Sequence, residues 1–484
     1  MEIQVPKEVR AILGLLEKEG HKAYLVGGCV RDILLGRTPK DWDVATDATP
    51  EEIQKIFPEN VYENNFGTVG VKTDSEDLSL KVVEVTTFRI EGRYTDKRHP
   101  DEVRFAKTIE EDLSRRDFTI NAIAMSADSG MVDPFGGAAD LEKRVLRTVH
   151  DPDERFSEDA LRLMRAVRFS VELGFKIDQD AFVAIKKLSK LLKDVAVERI
   201  RDEFTKIIMT KRATEGVDLL ENTGLMAYII PELCEGIGAT QNKHHVYTVY
   251  EHSLRSLDYV AKEDASLTVR LATLLHDVGK PRTKGGDGPN ATFHGHEVVG
   301  ARMTRKILER LHYSNDIIEL AVHLVRYHMF YYNVGDVSDT GVRRFVRRVG
   351  PENIPDLLKV REGDRIGSGV PKAVPYKLRH LLFMIEKVKN DPLSPKMLAL
   401  NGEDIMKLLD IPPGPRIGQI LGILLEDVLD NPARNTKEYL EKRAKEVSSL
   451  TDAELAKLAK KARDKKDELE GDIEEEMKKK YYVK

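Results

Sequence analysis

The hydrophobic pattern changes period once along the 484 residues, near residue 150. Before that point helical stretches alternate with strand-like ones. Residues 6 to 19 carry a helical pattern, "KAYLVGG" (22–28) reads as a strand entering a glycine turn, "VRDILLG" as a short helix and "DWDVAT" as a second strand. "TPEEIQKIF" (49–57) places Thr49 before Pro50 and three residues ahead of Glu52, which marks a capped helix start. "NNFGTVGVKT" and "LSLKVVEVTTFR" alternate apolar with other residues and read as strands. From about residue 153 the pattern is nearly all helical, and "SEDALRLMRAVRFSVELGF" (157–175) reads as one amphipathic helix. A mixed sheet must therefore be built within the first 145 residues, with a helical remainder. The fold class is α+β.

The chain is too long for one hydrophobic core, so two to four domains are expected. Charged residues make up 33% and hydrophobic ones 41%, while net charge is only −5. A nucleic-acid-binding surface would have to be local. The two cysteines, Cys29 and Cys234, provide neither a disulfide framework nor a Cys-based zinc site, which fits a reducing compartment. No run reaches about 18 apolar residues, and the N-terminus lacks an apolar signal core. The expectation is a cytoplasmic protein with no membrane partner. "SGVPKAVPYK" (368–377) reads as a linker, 409–431 as a Pro/Gly turn followed by an apolar helix, and 451–484 as a charged, solvated helix.

Asp41 and Asp43 stand one residue apart, shortly after Gly27 and Gly28. On a strand, residues i and i+2 share a face. Two carboxylates side by side repel unless a cation sits between them. A hard cation such as Mg²⁺ takes oxygen ligands and shares them with substrate phosphates, the arrangement used in two-metal phosphoryl transfer. The glycine pair lets backbone amides approach a phosphate, and Arg31 at a helix start favours anions. Glu84, on a later strand, is either a third carboxylate of this site or an ordinary surface residue.

"LVGGCVRDILLGRTPKDWDVAT", "EEDLSRRDFTINAIAM" (110–125) and "SEDALRLMRAVRF" resemble the class II tRNA nucleotidyltransferases, the CCA-adding enzymes and their bacterial poly(A) polymerase relatives. The resemblance extends to "GEDIMKLLDIPPGPRIGQIL" (402–421), similar to the family's tail. It implies a nucleotidyltransferase head (1–145), a neck with a base-selecting helix (146–215), a helical body (216–395), a tRNA-binding tail (396–450) and the charged segment 451–484. It implies Asp41 and Asp43 as catalytic Mg²⁺ ligands, and Gly28, Arg31, Arg116, Asp117 and Asn121 as nucleotide-binding residues. Tied to these are tRNA, CTP and ATP as partners. Glu198 and Arg199 resemble a structural helix-capping motif. Residues 88–108 resemble the flexible loop that complete CCA-adding enzymes use and CC-adding enzymes lack.

Within the same resemblance, Asp159 and Arg162 select the base, with Glu158 part of their motif. At i and i+3 on a helix they share a face. Cytosine and adenine each offer an amino donor beside a ring-nitrogen acceptor, which matches an Asp acceptor beside an Arg donor. Guanine and uracil present the reverse, and each mismatch leaves buried polar groups unpaired at about 1–3 kcal/mol. Arg165 and Arg168, on the next turns, either reach phosphates or lie over the core.

A second pattern runs through His252, His276–Asp277, His294, His296, His328 and Asp364 and resembles the HD-domain phosphohydrolase signature. Imidazoles and carboxylates on neighbouring helices can cage one or two divalent metals and generate hydroxide. His252, His276, Asp277 and Asp364 are the expected ligands of a divalent transition metal. "GKPRTKGG" lacks the spacing of a P-loop. Competing readings are an A-adding, CC-adding or poly(A)-adding enzyme of the same fold, and an HD hydrolase whose head is a relic.

Overall fold

The structure, a computed structural model, describes residues 5–62, 67–91, 103–126, 130–242, 246–286, 288–330, 332, 337–388, 395–451, 454–455 and 458. Strands form at β1 (Ala23–Val26), β2 (Asp43–Thr46), β3 (Asn60–Tyr62), β4 (Thr68–Lys72), β5 (Val82–Thr87), β6 (Arg89–Glu91), β7 (Val103–Phe105), β8 (Ala124–Met125) and β9 (Met131–Val132). Among the described residues, seven of them form one sheet in the order β3-β4-β5-β2-β1-β8-β9. β2 and β5 pair in parallel, and their neighbours pair antiparallel. Val26, Ala45 and Ala124 from the sheet pack with Phe88, Ile109, Leu113 and Val149 in a buried cluster. The helix Pro50–Ile56 starts as its sequence reads: Thr49 accepts from the Glu52 amide, and the Glu52 side chain accepts from the Thr49 amide.

β6 and β7 pair antiparallel, so the described ends of segment 88–108 form the base of a hairpin. The loop reading falls largely on residues 92–102, outside the described residues, as does most of 451–484.

Two local expectations are corrected. Asp41 lies in the bend before β2, and the strand begins only at Asp43, so strand alternation does not set how the two carboxylates meet. Residues 157–175 are also two helices, Pro152–Glu158 and Leu161–Leu173. Between them Asp159 takes extended backbone, φ −135° and ψ 104°. Its carboxylate accepts from the Leu161 amide at 3.0 Å. That local bond offers the backbone an alternative to helix, as short Asp side chains do. Asp159 and Arg162 therefore do not share a helix face.

The chain divides into two compact units. One comprises residues 1–239, 261–270 and 305–315; the other comprises 240–260, 271–304 and 316–484. The sheet and the helix Val197–Ile208 belong to the first, the histidine cluster to the second.

Candidate functional site

Gly27 ends the turn after β1 with φ +73° and ψ −131°, a conformation strained for any residue with a Cβ. A Cβ there would lie 2.8 Å from Arg116 Nη1 and 3.6 Å from Asp43 Oδ2. The glycine thus lets one backbone turn, one guanidinium and one carboxylate share a wall. Burial pushes the Asp43 carboxyl above its usual range; Arg116 opposes this and the Asp41 charge adds to it. The register sets Glu84 on β5 directly beside Asp43 on β2.

A chain of hydrogen bonds leads away from this wall. Arg31 donates to Asn121 Oδ1 (2.9 Å), Asn121 donates to Asp117 Oδ1 (3.1 Å) and Arg165 Nε donates to Asp117 Oδ2 (2.8 Å). Burial opposes the Asp117 charge, but Arg165 and the Asn121 bond outweigh it and bring the carboxyl down to about 2. The guanidinium of Arg168 lies 4.2 Å from the Phe169 ring centre and donates to Glu203 at 3.1 Å. Arg168 is therefore an internal ion-pair member, and its side chain does not run over the core into solvent.

Most of these groups line one cavity of about 1090 Å³. It holds Gly27, Gly28, Arg31, Asp41, Asp43, Arg116, Asp117, Asn121, Asp159, Arg162, Arg165 and Arg168 together. Eleven basic side chains line it against five acidic ones. In a chain of net charge −5, this is a local basic surface.

Asp159 and Arg162 face the same cavity but are held by different partners. Asp159 Oδ2 accepts from Arg199 at 2.9 Å. Arg162 donates to Glu158 Oε2 at 2.6 Å and to the Arg155 carbonyl at 3.0 Å. Arg199 is thus part of the site, which sequence reasoning missed. It sits one helical turn before Glu203, the partner of Arg168, and its spacing alone gives no sign of which loop it reaches.

The second cluster is wholly buried. His252 Nε2 lies 3.0 Å from His276 Nε2 and 3.2 Å from both Asp277 Oδ2 and Asp364 Oδ1. His296 and His328 join them, with Nε2 3.4 and 3.7 Å from Asp277 Oδ1. Sequence reasoning had both in its pattern without assigning either as a ligand; His294 is exposed and stays outside. Lys280 pairs with Asp277 at 2.6 Å and donates to Gln241 at 2.8 Å. Burial disfavours charge on His276, yet Asp277 and Asp364 push its imidazole up to about 10. Burial, reinforced by His276 and His296, holds His328 well below the usual imidazole range. Two acids among four imidazoles are a donor set fitted to a divalent cation.

Three family profiles match: "Poly A polymerase head domain" over residues 23–147, "Probable RNA and SrmB- binding site of polymerase A" over 174–237, and "HD domain" over 249–365. The chain is 45% identical over 439 residues to the CCA-adding enzyme of Geobacillus stearothermophilus, covering 90% of this chain and 95% of that one. It is 36% identical over 417 residues to the A-adding tRNA nucleotidyltransferase of Deinococcus radiodurans, covering 84% and 91%. The chain belongs to this family of nucleotidyltransferases. The crystal structure of the Bacillus stearothermophilus CCA-adding enzyme in complex with CTP superimposes with a TM-score of 0.70 at 30% identity, covering 92% of this chain and 97% of that one. The Thermotoga maritima CCA-adding enzyme complexed with tRNA shares the fold, with a TM-score of 0.57 at 20% identity over 92% and 97%. Nucleotidyltransferase heads and HD domains both depend on divalent metals. Among the described residues no helix is long and apolar enough to cross a membrane.

Proposed function

We propose that the chain is a CCA-adding tRNA nucleotidyltransferase of the cytoplasm. It adds CMP, CMP and AMP to the tRNA 3′ end from CTP and ATP without a nucleic-acid template. The observation that carries this reading is the single basic cavity holding Asp41 and Asp43 together with Asp159, Arg162 and Arg199. The relatives named above support it.

The tRNA 3′-oxygen attacks the α-phosphorus of the bound nucleotide, a new phosphodiester forms and pyrophosphate leaves. Mg²⁺ held by Asp41 and Asp43 would activate the attacking hydroxyl and neutralise the charge on the departing pyrophosphate. Arg31, Arg116 and the backbone at Gly28 orient the triphosphate. Asp159 accepts from the amino group of cytosine or adenine, and Arg162 donates to the adjacent ring nitrogen. Arg199 and Glu158 fix the directions of these two side chains. Asp117, Asn121 and Arg165 tie the head (1–145) to the neck (146–215), and Arg168 adds positive charge on the cavity wall. The body and tail grip the tRNA by shape and backbone contacts.

The test is extension of a tRNA ending at its discriminator base, with CTP and ATP given singly and together. Stepwise CC then A supports the reading. Addition of A alone to a CC-ended substrate would instead favour the A-adding activity of the Deinococcus relative.

A second activity is favoured by the buried His/Asp cluster: the HD unit binds a divalent transition metal and hydrolyses a phosphoester. Asp41→Ala abolishes nucleotide incorporation and leaves this hydrolysis, whereas Asp277→Ala does the reverse.

A further inference from the structure

Asp112 is 1% exposed and stands outside the cavity lining, yet it holds two of the guanidiniums that form that lining. It lies on the helix Ile109–Ser114, capped by Thr108 and Glu111. Arg115 and Arg116 follow at i+3 and i+4, the spacings that return a side chain to the same helix face. Asp112 Oδ1 accepts from Arg115 Nε at 3.0 Å and from the Arg89 amide at 3.3 Å, and Oδ2 accepts from Arg116 Nη2 at 3.1 Å. Such pairs matter little on a solvated helix. A buried carboxylate, in contrast, persists only where donors and cations match it.

The main chain beside Asp112 is fixed by other bonds. The Ser114 carbonyl accepts from Arg155 Nη2 at 2.9 Å, and the Arg115 carbonyl accepts from Arg155 Nη1 at 3.2 Å and from Arg162 Nη2 at 3.3 Å. These bonds leave open the direction of the Arg116 side chain, and the bond to Asp112 Oδ2 sets it. The same guanidinium reaches the Gly27 turn, where a Cβ would lie 2.8 Å from Nη1. Its Nε is buried and has no partner among the described residues. An arginine anchored at one Nη with its Nε–H unspent is a donor held ready for an anion.

We propose that Asp112 is a positioning residue for nucleotide binding: it acts through Arg116, holding that guanidinium against the Gly27 turn, where it meets the triphosphate. The proposal rests on the reading of this cavity as the nucleotide site and adds to it an acid that touches no substrate. Both carboxylate oxygens accept, so Asp112 serves Arg115 and Arg116 at once. Asp112→Asn keeps the shape but offers an oxygen to one side only. With that oxygen on Arg115 and Arg89, its amino group faces Arg116, donor against donor.

The test is a double-variant cycle on the full chain, read as binding of Mg·CTP by calorimetry without tRNA. Asp112→Asn should weaken CTP binding about tenfold, Arg116→Ala should weaken it at least as much, and the two together should bind no more weakly than Arg116→Ala alone. Asp112→Glu, which carries the charge one methylene out of place, repeats the cycle should the asparagine variant lack the parent's circular dichroism. In tRNA extension, KM for CTP should rise about tenfold while KM for tRNA keeps the parent value. An Asp112→Asn loss that persists undiminished when Arg116 is already alanine overturns the proposal, as does an equal rise in both KM values. Coupled loss of CTP binding in a chain that extends no tRNA would sink the CCA-adding reading and leave this one standing. Extension of tRNA without the coupling overturns this one alone, and a parent that binds no CTP overturns both.

Discussion

Arg199 and Asp159 come from different helical segments and meet at 2.9 Å, while Arg162 turns away to Glu158. The Asp159 carboxylate, proposed to select the base, is therefore aimed by a residue forty positions downstream. Arg199→Ala should release Asp159 Oδ2 while Oδ1 keeps the Leu161 amide, so that CTP is preferred over UTP about tenfold less strongly, or ~1.4 kcal/mol. Competition between the two nucleotides in the extension assay measures this. The acceptor KM should not change.

Asp43 lies against Arg116 and Gly27 in the head. Asp43→Asn keeps its size and removes its charge, so nucleotide incorporation should fall at least about 10³-fold, or ~4 kcal/mol. Thermal unfolding should be unchanged or slightly raised, because burial already disfavours the Asp43 anion. A variant that still extends tRNA at the parent rate would refute the assignment.

Asp117 supplies a pH dependence with a definite sign. Its carboxyl titrates near 2 in the folded chain against an ordinary 3.8. The stabilisation is therefore present above about pH 4 and is lost as pH falls through about 2. Asp117→Asn should be ~2 kcal/mol less stable than the parent at pH 6, converging on it near pH 2. Urea denaturation of both proteins across that range checks the convergence.

Gly27→Ala places a methyl against Arg116 at a positive φ. A cost of about 1–3 kcal/mol is expected, read as a lower melting temperature of the first unit. KM for CTP should rise with it.

Much of this was legible in the sequence. The capped start at Thr49, the β1 turn at Gly27 and the helical character after residue 153 follow from local chemistry, and the structure reproduces them. The break at Asp159 was not legible, because apolar spacing continues through it. What stops the helix is one side-chain bond to Leu161 together with the distant Arg199. Arg168 read equally as a phosphate ligand or as a chain over the core. Its pairing with Glu203 depends on two helices meeting, which no spacing within either reveals. His296 and His328 belonged to a visible pattern, but their convergence on Asp277 Oδ1 is set by tertiary packing.

The sign of charge differs between the cavity and the whole molecule. A net −5 chain that gathers eleven bases and five acids in one hollow leaves the remainder of its residues with a marked surplus of acid. For the proposed function, the attraction for a phosphate backbone is concentrated at that hollow, where an inward-pointing terminus meets it. Added salt should therefore weaken capture of free RNA ends, which is strongest in dilute buffer.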